Sequence, residues 1–208
     1  MQRCVIIGGG PIGDYERVRG YLSPEDYSIF CDSGLRHGER LQLTPDLIVG
    51  DFDSHPRPAE TEAELITLPR EKDDTDTFFA AKEGLARGFR EFLLLGATGA
   101  RLDHTLGNLS ILLFLQKAGA RGRIVDDYSE IELVEDRALV PETFPYFSLL
   151  CIDGPAEGVT VKNAKFPLDR AAITGDYQYG ISNEVLPGKT AEITVEKGRL
   201  LLIKVVKD

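Results

Sequence analysis

Several features that mark whole protein classes are scarce or missing in this 208-residue chain. No apolar run approaches the ~20 residues needed to cross a bilayer as a helix, so no membrane span is expected. Positive charge is in the minority: 24 Lys and Arg stand against 34 Asp and Glu, giving a net charge of −10. No Lys/Arg cluster appears, and duplex nucleic-acid binders work through a basic face, so that class is set aside. Cysteine is sparse. Cys4, Cys31 and Cys151 are odd in number, far apart and without a CxxC pair. Neither a zinc framework nor a disulfide scaffold is expected, and a reducing cytoplasm is the simplest location. The opening "MQRCVIIGGG" has too short an apolar run for a signal peptide and reads as a first strand.

What is present is ordinary for a globular protein: 42% hydrophobic and 28% charged residues. The length suits one large domain or two small ones. Up to about residue 128, short apolar runs alternate with helical patterns. "CVIIGG" (4–9), "YSIFCDSG" (27–34), "DLIVGD" (46–51), "ELITLP" (64–69), "EFLLLGA" (91–97) and "RIVDD" (123–127) predict strands. Phe78, Ala81, Leu85 and Phe89, spaced by three and four, predict a helix over 74–88, and "HTLGNLSILLFLQKA" a second over 104–118. Doubly apolar strands alternating with helices imply an α/β domain, a mostly parallel sheet covered by helices, over 1–128. From 129 to 208 the helical period is missing. "IELVED", "YFSLLCID", "GVTVKNA" and "AEITVEKGRLLLIKVV" predict a small all-β domain, closed by a hairpin with Gly198 in its turn.

Chemistry concentrates at the strand ends. In "LIVGDFDS", Asp51 and Asp53 follow a buried strand. Ligands of a parallel sheet sit outside the carboxyl ends of its strands. If the chain stays extended, residues two apart share a face, and both carboxylates point one way. Converging carboxylates are costly without a cation between them, and oxygen donors suit Mg²⁺. In "EKDDTDTFF" a helix opening at 74 puts Asp73 and Asp76 on one face, at the same sheet edge. "LLLGATGARLDHTLGN" leads a strand through Gly96, Gly99 and Arg101 into a helix near Asp103. Glycine backbone, a helix N-terminus and an arginine fork together make a phosphate cradle. His104 stands beside it. A competing motif, "GGGPIG" with Asp32 about twenty residues on, fits the dinucleotide fingerprint of an oxidoreductase. "PGKT" does not make a P-loop, since the required first glycine falls at Asn183.

"DLIVGDFDS", "KDDTDTFFAAKEGL", "GARLDHTLGN" and "GISNE", in this order and spacing, resemble the thiamine pyrophosphokinase (thiamine diphosphokinase) family over nearly the whole chain. The resemblance implies an enzyme that moves the pyrophosphoryl group of ATP to thiamine, leaving AMP. It also implies an N-terminal nucleotide domain, a C-terminal β-sandwich and a homodimer with thiamine bound where subunits meet. By motif, Asp51, Asp53 and Asp76 would hold Mg²⁺ on the phosphates. Arg101 and Asp103 would line the cleft with Asp32, Gly99 and His104. Lys72, Ser182 and Asn183 would meet thiamine. Asp103 is a possible general base, or none is needed. The chain departs from the family's usual pattern at Ala100 and Ser33, where the family often has glycine. A pyrophosphokinase for another alcohol such as a pterin, a dinucleotide oxidoreductase and a nucleotide-sensing binding protein are the alternatives.

Overall fold

The computed structural model describes residues 2–52, 56–71 and 73–206. The chain divides into two compact units, Met1–Asp127 and Tyr128–Asp208. Asp53 and Lys72 lie outside the described residues.

In the first unit the strands are β1 (Cys4–Ile7), β2 (Tyr27–Cys31), β3 (Leu47–Gly50), β4 (Glu64–Thr67), β5 (Glu91–Leu95) and β6 (Arg121–Val125). They lie in the order β4-β3-β2-β1-β5-β6, each paired parallel to its neighbours. Alternate side chains serve opposite faces. Val5, Ile7, Phe30, Leu93 and Leu95 form one core with Val18 and Leu41, which come from the short helices α1 (Tyr15–Arg19) and α2 (Gly38–Leu41). The longer helices are α3 (Asp76–Ala86) and α4 (Leu102–Lys117). They bury Ala80, Ala81, Ile111, Leu112 and Leu115 and meet through the rings of Phe78 and Phe114, 4.8 Å apart. Both sheet faces are thus covered, which is why these strands carry no polar alternation.

The second unit contains β7 (Ser129–Val134), β8 (Arg137–Pro141), β9 (Tyr146–Cys151), β10 (Ala156–Lys162), β11 (Leu168–Ile173), β12 (Thr190–Thr194) and β13 (Leu200–Val205). The order β7-β13-β9 makes one antiparallel layer and β11-β10-β12-β8 the other. One apolar core is shared between them: Phe147, Leu149, Leu200 and Leu202 from the first, Val140, Val159, Val161, Ala191 and Ile193 from the second. The α/β and β-sandwich classes expected from the patterning are those observed.

Three local expectations are corrected. The hairpin over "TVEKGRLLLIK" does not form. β12 pairs with β8 and β10, whereas β13 pairs with β7 and β9, so the chain passes from one layer to the other. Gly198 takes φ +83° at that crossing, where a Cβ would stand 2.5 Å from the Pro155 carbonyl oxygen. The chain also does not stay extended after β3: Phe52 has φ +58°, so the two-residue repeat stops at the first acid. Finally, α3 opens at Asp76 and not at 74, because Thr75 caps it by accepting the Phe78 N–H at 3.2 Å. Asp73 precedes the helix, and Asp74 pairs with Lys82 at 2.8 Å.

Candidate active site

A cleft of about 560 Å³ opens at the carboxyl ends of β1, β2, β3 and β5 in the first unit. Its floor is built by close backbone approach. Gly8 N–H donates to the Leu95 carbonyl at 2.8 Å, and Gly10 N–H to that of Gly96 at 2.7 Å. A Cβ on Gly10 would lie 2.4 Å from the Thr98 carbonyl oxygen. The glycines of "GGGPIG" therefore let the loop after β1 lie on the loop after β5. A five-residue helix follows them, α1, capped by the Asp14 side chain.

Asp32, Asp51 and Asp76 converge at this edge: one carboxylate oxygen of each lies within 4.8 Å of the others. Asp32 is buried and the other two are half-buried. Asp32 opens a 3₁₀ turn (Asp32–His37) directly after β2, Asp51 follows β3, and Asp76 starts α3. Three carboxylates this close repel one another unless a cation sits among them. An all-oxygen donor set matches a hard divalent ion such as Mg²⁺, so these residues fit the metal that the sequence implied. Asp32, read in the sequence as a nucleotide contact, belongs to this cluster. The signal for it was available, since Asp32 ends β2 as Asp51 ends β3. Cys31 stands beside the cluster. Burial, with the Asp76 carboxylate adding, pushes its thiol far up, so it is no nucleophile at neutral pH.

The loop after β5 is more self-contained than its composition suggested. Arg101 forks onto Asp103 at 2.6 and 3.2 Å. That bond holds the Asp103 carboxyl down at about 2. A group so acidic is a poor general base at neutral pH, which counts against the basic role considered for it. Gly99, at φ +97°, donates its N–H to Thr105 Oγ1 at 3.2 Å, so that donor is already used within the loop. Ala100, the first departure from the family pattern, sits at φ +23°. His104 is exposed on the cleft wall. Asn108, not singled out in the sequence, is buried in the wall and donates to the Ala97 carbonyl at 2.7 Å.

His37 is buried beneath the floor. Its Nε2 lies 2.9 Å from the Gly10 carbonyl oxygen and its Nδ1 2.6 Å from the Tyr15 hydroxyl. A carbonyl only accepts, so Nε2 carries the proton and Nδ1 accepts from Tyr15. Burial first, then the Arg36 and Arg40 guanidiniums, push the imidazole below its usual 6.5. The folded state thus favours neutral His37. Its contribution to stability is complete above about pH 6.5 and is lost as pH falls from there toward the folded value. Thermal scans are expected to show a melting temperature that drops through that window, and a shallower drop in His37→Gln. Identical slopes would remove His37 as the cause.

In the second unit, Asn183 is buried and its amide is spent on backbone. Oδ1 accepts from Phe166 N–H at 3.0 Å and Glu184 N–H at 2.9 Å, and Nδ2 donates to the Phe166 carbonyl at 2.8 Å. Its own backbone pairs with Phe147. These bonds brace the loop that carries Asn183, the residue that the resemblance sets against thiamine. Ser182 is exposed at φ +56° and donates its N–H to Ser148 Oγ at 3.0 Å. Beside them is a second cavity, about 470 Å³, lined by Phe166, Leu168, Tyr179, Ile181 and Lys165.

Residues 18–122 match the family described as thiamin pyrophosphokinase, catalytic domain, and residues 131–200 match thiamin pyrophosphokinase, vitamin B1 binding domain. The chain belongs to the thiamin pyrophosphokinase family. A curated relative, the thiamine pyrophosphokinase of Bacillus subtilis (strain 168), is 27% identical over 212 residues, spanning 98% of this chain and 99% of that one. The crystal structure of the B. subtilis enzyme superposes with a TM-score of 0.87 at 25% identity over 100% of both chains. The thiamin pyrophosphokinase of Geobacillus thermodenitrificans gives 0.84 at 26%, covering 100% of this chain and 98% of that one. These likenesses carry the transferase reading of the sequence. They lend nothing to a dinucleotide oxidoreductase or to a pterin-directed enzyme.

Proposed function

We propose that this thiamin pyrophosphokinase-family chain transfers the pyrophosphoryl group of Mg-ATP to the hydroxyethyl oxygen of thiamine. The observation that carries the reading is the convergence of Asp32, Asp51 and Asp76 beside a glycine-built floor. In this reaction the thiamine oxygen bonds to the β-phosphorus of ATP. The bond from that phosphorus to the oxygen bridging it to the α-phosphorus breaks, AMP leaves, and the alcohol proton passes to water. Such transfers depend on positioning and charge neutralisation more than on a covalent residue. A divalent cation held by Asp32, Asp51 and Asp76, with Asp53 kept in the proposed set, would neutralise phosphate charge. The Gly8–Gly10 loop lets the nucleotide lie close to backbone, and Gly99, Arg101 and His104 flank it. Residues 1–128 form the nucleotide-binding part and 129–208 the thiamine-binding part, with Lys72, Ser182 and Asn183 as the thiamine contacts, Asn183 also bracing the loop that carries Ser182.

The same reading makes the enzyme a homodimer in the cytoplasm. Phe166, Tyr177, Tyr179 and Ile181 are 57, 71, 49 and 45% exposed. Phe166, Tyr179 and Ile181 line one cavity, and the Tyr177 ring lies tilted against that of Tyr179, 6.1 Å between centroids. An exposed apolar patch of this kind supports burial against a second copy. The three cysteines are free, and among the described residues no helix is long and apolar enough to cross a membrane.

Incubation with Mg-ATP and thiamine is expected to yield AMP and thiamine diphosphate in equal amounts, read by chromatography. ADP as the nucleotide product, or no reaction with thiamine, would overturn the proposal.

A further inference from the structure

The 3₁₀ turn Asp32–His37 contributes more to the cleft than one carboxylate. Residues three apart in a 3₁₀ helix eclipse one another. Ser33 and Arg36 therefore share one side, and Gly34 and His37 another. The second side is fixed against the floor. A Cβ on Gly34 would lie 2.1 Å from the Ile7 carbonyl oxygen, and His37 is held between Gly10 and Tyr15. The first side is left facing the cleft, and both Ser33 and Arg36 line it. Ser33 Oγ occupies the space above Gly9, 1.9 Å from where a Cβ there would be. Ser33 is the second departure from the family pattern, and it places a hydroxyl where the usual glycine has none.

The two arginines of the cleft wall differ in their commitments. Arg101 is engaged by Asp103 at 2.6 Å. Arg36 is exposed and has no carboxylate partner among the described residues. Among the described residues its one hydrogen bond runs from Nε to His37 Nε2, at a long 3.4 Å. That contact is weak in any case, because the His37 Nε2 proton points to Gly10. A guanidinium without a carboxylate partner among the described residues, on a short turn and facing a cleft with an acidic cluster at its edge, suits an anion that brings its own cation.

We propose that Arg36, with the Ser33 hydroxyl beside it, binds the polyphosphate of the nucleotide in this chain. The inference rests on the ATP reading above and adds the residues that take the phosphate charge. A planar fork of donors meets phosphate oxygens in pairs, whereas the Nε–Nη2 edge of Arg101 is already taken by Asp103.

The test compares Arg36→Met, Arg36→Lys, Ser33→Ala and Arg101→Met with wild type by steady-state kinetics, together with calorimetric titration of inorganic triphosphate. Arg36→Met is expected to raise the KM for ATP about ten-fold or more, with the thiamine KM unchanged. Arg36→Lys should recover part of the loss, and Ser33→Ala should cost only a few-fold. Triphosphate affinity should fall in the same order. A wild-type ATP KM in Arg36→Met, with the loss appearing in Arg101→Met, would overturn the inference. If wild type makes no AMP, the proposed reaction fails. The titration then decides Arg36 alone: weaker triphosphate binding in Arg36→Met upholds its role, and unchanged binding removes it.

Discussion

Asn substituted singly for Asp32, Asp51 or Asp76 is expected to lower turnover by roughly 100-fold or more in each case. That corresponds to losing several kcal/mol of charge stabilisation at about 1.4 kcal/mol per tenfold. Asn keeps the shape of Asp and removes its charge. Because the three carboxylate oxygens lie within 4.8 Å of one another, removing one charge relieves repulsion in the metal-free protein. The melting temperature without metal should therefore hold or rise, even as activity collapses. A merely structural acid would behave in the opposite way. Added Mg²⁺ should raise the melting temperature of wild type and do so far less in the variants. EDTA should stop the reaction and Mg²⁺ restore it. Full activity in all three variants, or a Mg²⁺ response equal to wild type, would sink the metal-site reading.

Phe147→Ala should be the most damaging change outside the cleft. Phe147 is fully buried in the sandwich core, and its N–H and carbonyl each bond Asn183 at 2.9 Å. Its ring thus supports the strand against which the Ser182–Asn183 loop is registered. Truncating a buried Phe costs about 3–5 kcal/mol, a large share of a typical total of roughly 5–15. For a chain of this size the melting temperature is expected to fall by about 10 °C. A fall below about 2 °C would mean that the core closes around the gap, and that Phe147 is not the anchor described.

The β strands of the first unit were legible because burial on both faces leaves uninterrupted apolar runs, as in "CVII" and "LLL". Helices α3 and α4 were legible because each repeats its apolar residues over several turns. Helices α1 and α2, with five and four residues, carry too little period to register. The 3₁₀ turn went unseen for the same reason, and with it Arg36 and the place of Asp32 among the acids, since the sequence had set Asp32 with the nucleotide. The closing hairpin was misread because alternation marks a strand and says nothing about its partner.

Composition, strand punctuation and motif spacing were enough to establish an α/β unit followed by an all-β one. They also placed acids, glycines and an arginine at strand ends, because these follow from neighbours in the chain. Long-range register set the rest. Cys31 pairs with Val49 across β2 and β3, which brings the ends of those strands together, so Asp32 meets Asp51 across 19 residues of sequence. Asp76 enters from a helix start. No local pattern encodes that meeting, because it depends on which strands are adjacent and how they are aligned. The same holds for charge. Arg36 and Arg101 are equivalent as letters, and they differ because, among the described residues, a carboxylate reaches one and not the other.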